Sequence, residues 1–542
     1  MHHSRNRHLL ALALSLGLAA CGGSDGIAPF GPVSSTPANG ATGVARNVQP
    51  SATFNQSLNA ASITATTAQL LSPLGLPLPV TLSASGAVLS MAPVAAALPG
   101  GTTYTLALAA GLQSASGAVL GTALSSTFST AAQQWSGVAQ VSDASANALN
   151  PVQATDASGN VTAVWQQDTN GTNNVVKASR YSGGSWSAPA LLSTAALGAA
   201  VNPVVAVDAA GNVTAVWRQF KSASNYGINA SRYSNGSWSA PVRVDNVPGN
   251  AVSPALVVDA AGNLTAAWQQ SNGTRVVINA SRYSNGAWSV PVQVDAPSAT
   301  GDAMAAVLAV DAAGNVTASW NQYNGSNYVI NTSRYSNGGW SAPVQLNSAT
   351  GDAFYPALAV DGAGTVTAAW WQHIGTRDVI NASRYSGGNW SAPVQVDAPN
   401  ATGNARTPAL AVDAAGNVTA AWHQVSGAYY VINASRYRNG SWSPPTQVSG
   451  ASATGDAINA ALAVDVAGNL SLAWTQYDGT RFAANASRFG NGSWSAPTEL
   501  DIPAATSNAI SPVLGVDATG NVTATWYQGS PGTYVINARR LQ

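Results

Sequence analysis

Charge is scarce in this chain. Only 8% of its 542 residues are Asp, Glu, Lys or Arg, and 21 basic side chains balance 21 acidic ones. No basic stripe can follow a nucleic-acid backbone and there is no acidic tail, so nucleic acid is excluded as a partner. Histidine is nearly as rare: beyond the first ten residues only His373 and His423 remain, and neither stands in a metal-ligand spacing. Glu499 is the sole glutamate, placed on an outer strand where it reads as a solvated edge charge. A glycosidase needs two convergent carboxylates, and no such constellation is legible. The sequence therefore predicts no cofactor and points away from catalysis. Cys21 is the sole cysteine, and after the N-terminus no apolar run reaches membrane-spanning length.

The N-terminus has its own pattern. MHHSRNRHLLALALSLGLAAC carries a basic head (Arg5, Arg7), an apolar stretch from Leu9 to Leu18 and small residues before the cysteine, the layout of a secretory signal. Its end, Leu18-Ala19-Ala20-Cys21, resembles a bacterial lipoprotein lipobox. The resemblance implies a signal peptide at 1–20, acylation of Cys21 as the first residue of the exported chain, and a membrane contact through that lipid anchor alone. Gly22 rather than Asp follows, which implies sorting to the outer membrane of a Gram-negative envelope. Residues 21–32, rich in Gly, Ser and Pro, read as a flexible linker.

Residues 33–132 alternate in the manner of half-buried strands, as in Ser51-Ala52-Thr53-Phe54 and Thr103-Tyr104-Thr105-Leu106, with Gly and Asn clusters at the turns. PANGATGVARNVQPSATFNQSLNAASI from Pro37, GGTTYTLALAAGLQSASG from Gly100 and SSTFST ending at Thr130 resemble the SbsA-type bacterial Ig-like domain. That resemblance implies a β-sandwich acting as a spacer or adhesion module.

From residue 133 to 542 one pattern repeats: Asp-x-x-Gly-x-x-x-x-x-Trp, Gln two residues on, then Ser-Arg-Tyr and Trp-Ser. The aspartates are Asp156, Asp208, Asp259, Asp311, Asp361, Asp413, Asp465 and Asp517, spaced by 50 to 52 residues. Such a period denotes a solenoid, a propeller or an array. The last copy stops at VINARRLQ, before its Trp-Ser segment, while an unattached copy of that segment stands at Trp135. A closed ring uses this offset, because the early segment supplies the last unit's missing outer strand. Each repeat reads as four strands, in the third copy Pro254 to Val258, Leu264 to Gln270, Val276 to Tyr283 and Trp288 to Val294. The predicted fold is all-β: an Ig-like sandwich followed by an eight-bladed β-propeller of four-stranded blades with N-terminal strand closure.

The repeated residues read as structural. Sixteen of 17 tryptophans form two series, one on the second strand and one opening the fourth. A buried Trp covers roughly 150–250 Å², worth on the order of 4–6 kcal/mol as an upper bound, so they are expected to pack blade on blade. Each turn aspartate is expected to accept backbone N–H bonds while Gly takes the positive-φ position. The repeated arginines, such as Arg180 and Arg232, are expected to clamp blade to blade through ion pairs or carbonyls, and the glutamines to satisfy backbone groups at the end of the second strand. The Asp-x-x-Gly turn resembles the sialidase Asp-box only distantly. Gly and the aromatic fall three and nine after Asp here, against two and six there, so no activity is carried over.

Comparison between repeats separates a uniform face of Asp-Ala-Ala-Gly-Asn and Ser-Asn-Gly turns from a varied face, formed by the loop after Gln and the link to the next blade. Loops on a rigid scaffold carry function. The ligand-binding candidates on the varied face are Trp371, His373, His423, Tyr323, Tyr328, Tyr430, Tyr477 and Tyr527. Nine residues before the repeat aspartates stand Asp302, Asp352 and Asp456, readable as oxygen ligands for a hard cation at the channel mouth or, preferably, as Asx turns. The reading is a monomeric, non-catalytic surface lipoprotein that binds glycan or a surface protein, with the Ig-like domain as spacer. The alternatives are a polysaccharide-acting enzyme, favoured if an Asp converges with His373 or His423, and a structural envelope component.

Overall fold

The computed structural model describes residues 29–542 apart from 145, 170–172, 195–197, 223–224, 349, 451–454 and 503–505. Cys21 and the signal segment lie outside the described residues. The first domain is a sandwich of two four-stranded sheets. One runs in the order Pro32–Thr36, Ser51–Phe54, Val88–Pro93, Val80–Ser85, and the other Ala41–Val44, Leu124–Thr130, Thr103–Leu108, Ala68–Leu71. Strict alternation puts Tyr104, Leu106 and Leu108 inward, onto Leu70, Leu89, Met91 and Phe128.

Eight sheets follow, seven built from one repeat each and the eighth completed by the segment ahead of the first, and they close into a ring. Blades 1 to 8 begin with the inner strands Ala148–Thr155, Ala200–Val207, Ala251–Val258, Ala303–Val310, Ala353–Val360, Ala405–Val412, Ala457–Val464 and Asn508–Val516. Every inner strand packs against the next, and the last packs against the first. In blade 3 the second and third strands are Leu264–Ser271 and Val276–Ser284. The outer strand is not continuous as expected: Ala287–Trp288 and Val292–Gln293 pair separately with the third strand. Pro291 between them has no N–H to give to a ladder, and an equivalent Pro stands in each complete outer strand, from Pro189 to Pro497.

The second-strand tryptophans are buried and pack on the preceding blade. Trp217 lies against Val164, Val176, Ala178 and Leu192 of blade 1, and Trp268 against Val216, Ile228 and Val244 of blade 2. A buried indole N–H needs an acceptor. The repeated glutamine supplies it, Trp268 Nε1 donating to Gln270 Oε1 at 2.7 Å while Gln270 Nε2 donates to the carbonyl of Pro248 at 2.8 Å. The glutamine thus satisfies the loop backbone, as expected, and the indole as well.

At each uniform turn the aspartate behaves as anticipated. Asp156 Oδ1 accepts the N–H groups of Ser158 and Asn160 at 3.0 and 2.9 Å, and Gly159 has φ +80°. The arginines correct the expectation of ion pairs between blades. Arg180 Nη2 meets Asp156 of its own blade at 2.5 Å, because Thr162 and Arg180 are cross-strand partners beside that turn. The contact between blades is the other face of the guanidinium, which lies 5.3 Å from the Tyr233 ring centroid of blade 2.

Closure follows the circular offset read from the sequence. Ala139–Gln140 pairs with Val535–Leu541 through Ala538↔Ala139 and Asn537↔Gln140, and Trp135 bridges Leu541. The chain thereby enters the ring at the uniform face, and the Ig-like domain sits directly on that face. Arg46 donates to Asn521 Oδ1 at 2.9 Å and to the Thr519 carbonyl at 2.6 Å. Asn469 Nδ2 donates to Thr102 Oγ1 at 2.9 Å, and Ala467 joins the core of the sandwich.

Candidate functional site

The varied face lies at the opposite ends of the strands from the Ig-like domain. Each inner strand starts there and carries a bulge three or so residues in, with one residue in the left-handed region: Asn150, Asn202, Ser253, Ala305, Tyr355, Thr407, Asn459 and Ser511, all at φ between 51° and 59°. Pro follows six of the eight. Six of these bulges, those at Asn150, Asn202, Ser253, Thr407, Asn459 and Ser511, rim a central cavity of about 570 Å³. In blades 1 and 7 the residue after the second-strand Trp reaches the next blade at this level: Gln166 Oε1 accepts the N–H of Asn202 and Thr475 Oγ1 that of Ser511.

Blades 4 to 6 break this pattern with a row of stacked rings. Tyr323 and Tyr328 are cross-strand partners with centroids 5.4 Å apart. Tyr328 lies 4.8 Å from Phe354 of blade 5, Phe354 lies 5.0 Å from its partner Trp371, and the Arg406 guanidinium of blade 6 stands 5.2 Å over Trp371. Arg406 Nε donates to Asp378 Oδ2 at 2.5 Å. Asp378 Oδ1 meets His373 Nδ1 at 2.9 Å. The carboxylate is buried, the His373 ring about half exposed. His423, the cross-strand partner of Arg406, abuts Tyr430 edge-on at 4.9 Å. Burial, reinforced by the Arg406 cation, pushes its imidazole down to about 4.

Of the residues singled out in the sequence, the fold brings Tyr323, Tyr328, Trp371 and His373 together and joins His423 and Tyr430 to them through Arg406. Tyr477 and Tyr527 belong to blades 7 and 8, where each pairs with its own neighbour, Phe482 or Tyr534. The sequence reading missed Phe354, Asp378 and Arg406. A signal for them existed: Phe354 and Arg406 replace the Leu, Val, Ile or Met found in the other six inner strands, and His373–Asp378 replaces the aromatic pair of blade 4.

Asp302, Asp352 and Asp456 are interblade clamps. Their Oδ1 atoms accept the N–H of Val276, Tyr328 and Tyr430 in the preceding blade at 2.7–2.8 Å. This corrects the Asx-turn reading, because the bond is made across blades and not within the turn. Among the described residues no three His, Cys, Asp or Glu side chains cluster as a metal site would require. Glu499 is likewise no solvated edge charge: Arg481 holds it together with Asp501.

No curated protein matches this chain in sequence. Among solved structures, the BP39L lectin from Burkholderia pseudomallei is similar over 67% of this chain and 100% of its own, at 14% identity and a TM-score of 0.46. A PL25 ulvan lyase is similar over 67% and 97%, at 12% identity and a TM-score of 0.44, and Trypanosoma rangeli sialidase over 57% and 56%, at 11% identity and 0.34. In sequence, residues 28–130 match the bacterial Ig-like domain family.

Proposed function

We propose that this chain is a lipid-anchored envelope protein whose propeller binds glycans on the face turned away from its Ig-like domain. The observation that carries the reading is the row Tyr323, Tyr328, Phe354 and Trp371, ended by the Arg406–Asp378 pair. Aromatic faces take the C–H face of a pyranose, and adjacent charged and amide groups take its hydroxyls. Both are present, on strand ends held by a rigid ring. The anchor at Cys21 would hold the sandwich side of the molecule towards the membrane and leave this face outward.

A glycan array probed with the chain tests the reading. Binding should be lost or weakened in Trp371→Ala, at a cost above roughly 1 kcal/mol, and kept in the uniform-turn variant Asn285→Ala, which should lower stability alone. Loss of binding in Asn285→Ala at full stability, with Trp371→Ala unaffected, would move the site to the other face.

One observation favours a second reading, a polysaccharide-acting enzyme. Asp378 orients His373 in the way a carboxylate orients a catalytic base, and the ring's outer edge is exposed. Incubation of wild type and His373→Ala with the glycans bound on the array separates the two, since only an enzyme yields shortened products that disappear with the histidine.

A further inference from the structure

Cations at the varied ends of the blades are paired. Arg275 holds Asp295, Arg377 holds Asp397, Arg406 holds Asp378, and Arg481 holds Glu499 and Asp501. Arg218 of blade 2 is the exception. It occupies the position after the buried Trp217, pairs across the sheet with Val201 and Ile228, and stands 4.6 Å over the Tyr226 ring. Among the described residues it meets no carboxylate, and its Nε is buried without a hydrogen-bond partner. The residue before Tyr226 has the complementary defect, for Asn225 Oδ1 is buried and unpartnered too. A buried N–H without an acceptor is costly, and a protein with so few charges has placed this guanidinium over Tyr226, whose ring in turn abuts Phe220 edge-on with centroids 5.6 Å apart.

The repeat sharpens the point. In blades 1 and 7 the equivalent side chain accepts an N–H from the bulge of the next blade. Arginine has no acceptor to offer, so at this position blade 2 presents donors only. Blade 2 also lies opposite blade 6 in the ring, across the central cavity from Arg406 and His423.

We propose that Arg218, stacked on Tyr226, is a subsite for an anionic substituent of the bound glycan, a carboxylate or a sulfate ester. A polymer lying across the channel mouth would place its acid on Arg218 and a sugar ring on the Trp371 row. The guanidinium fork matches either oxyanion with two parallel N–H bonds, and stacking on Tyr226 fixes its plane. This inference rests on the glycan reading above and narrows the ligand to acidic chains.

Calorimetric titration of the full chain tests it with three probes: oligogalacturonate for carboxylates, dextran sulfate for sulfates and dextran as the neutral control. Wild type should bind one anionic probe more tightly than dextran, with an affinity that falls as salt rises. Arg218→Met should lose about ten-fold or more for that probe and leave any dextran binding unchanged, while Arg218→Lys should recover part of the loss. Because Met removes an unpartnered buried donor, the melting temperature should not fall. Equal binding of the anionic probe by Arg218→Met and wild type, or no preference of wild type over dextran, would overturn the subsite. If dextran or array binding still depended on Trp371 in that case, the glycan reading would stand without it. A wild type that binds none of the probes overturns the inference, and the array alone then decides the wider reading.

Discussion

The guanidinium of Arg540 stands 4.5 Å from the Tyr181 ring centroid, and the contact joins the last blade to the first. It is the same relation that Arg232 has with Tyr283, Arg334 with Tyr385 and Arg436 with Phe489, so the seam between the chain ends is built like those junctions. The seam has a backbone lock besides. Ala139–Gln140 covers the outer edge of Val535–Leu541, and Gln153 Nε2 of blade 1 donates to the Thr523 carbonyl of blade 8 at 2.7 Å.

Deleting residues 135–142 should therefore lower the melting temperature and expose the edge of Val535–Leu541 to pairing with other chains. Light scattering on the deletion variant should show association that wild type lacks. A monomeric variant with an unchanged melting temperature would mean that the strand adds nothing to closure.

Blade 7 has no cation–π partner in blade 8, because Leu541 stands where the other blades carry Tyr or Phe. Arg488 turns instead to Gln133 beneath the Ig-like domain and pairs with Asp465 at 2.9 Å. Burial pushes the Asp465 carboxyl up, and Arg488 opposes the shift. Arg488→Met would leave that carboxylate buried and unpaired, a loss of about 3–5 kcal/mol. Arg334→Met, which breaks the pair with Asp311 in blade 4, where no Ig-like residue is hydrogen-bonded among the described residues, should lose less, about 1–2 kcal/mol. Urea denaturation of both variants gives the comparison, and equal losses would show that the docked domain adds nothing to the burial of the pair.

What the sequence disclosed depended on repetition. Trp217, Asp208 and Gly211 recur at fixed spacing, so their burial and turn geometry were legible from eight parallel copies. The circular offset of Trp135 likewise announced the closure. The side-chain relations between neighbouring blades were less legible. Arg180 could be foreseen as a clamp, but a linear pattern does not say that it pairs within its blade and stacks on the next. The row at blades 4 to 6 is built from departures such as Phe354 and Arg406, whose contacts with Tyr328 and Trp371 cross blade boundaries and have no repeating counterpart.

The anchor proposal has a direct test. Cys21→Ser should abolish incorporation of labelled fatty acid and release the chain from the membrane fraction, because without the acyl group no anchoring signal remains in the proposal. Wild type that carries no lipid label and fractionates as the variant does would remove the anchor from the functional reading.

His423 gives the varied face a pH dependence. Its imidazole is held down to about 4 by burial first and by the Arg406 cation second, with Asp456 opposing, whereas an unfolded histidine titrates near ~6.5. Between these values the unfolded chain binds a proton that the folded chain excludes, so stability rises with pH across the window and is fully present above about 6.5. As pH falls towards 4 this contribution is lost. His423→Gln should remove it, making the melting temperature of the variant flatter than that of wild type between pH 4 and 6.5. The ring also supports Tyr430, 4.9 Å away, so the two proteins are best compared by slope and not by absolute stability. Parallel slopes in that window would show that His423 keeps an ordinary pKa and that its enclosure by Arg406 and Tyr430 is looser than the structure places it.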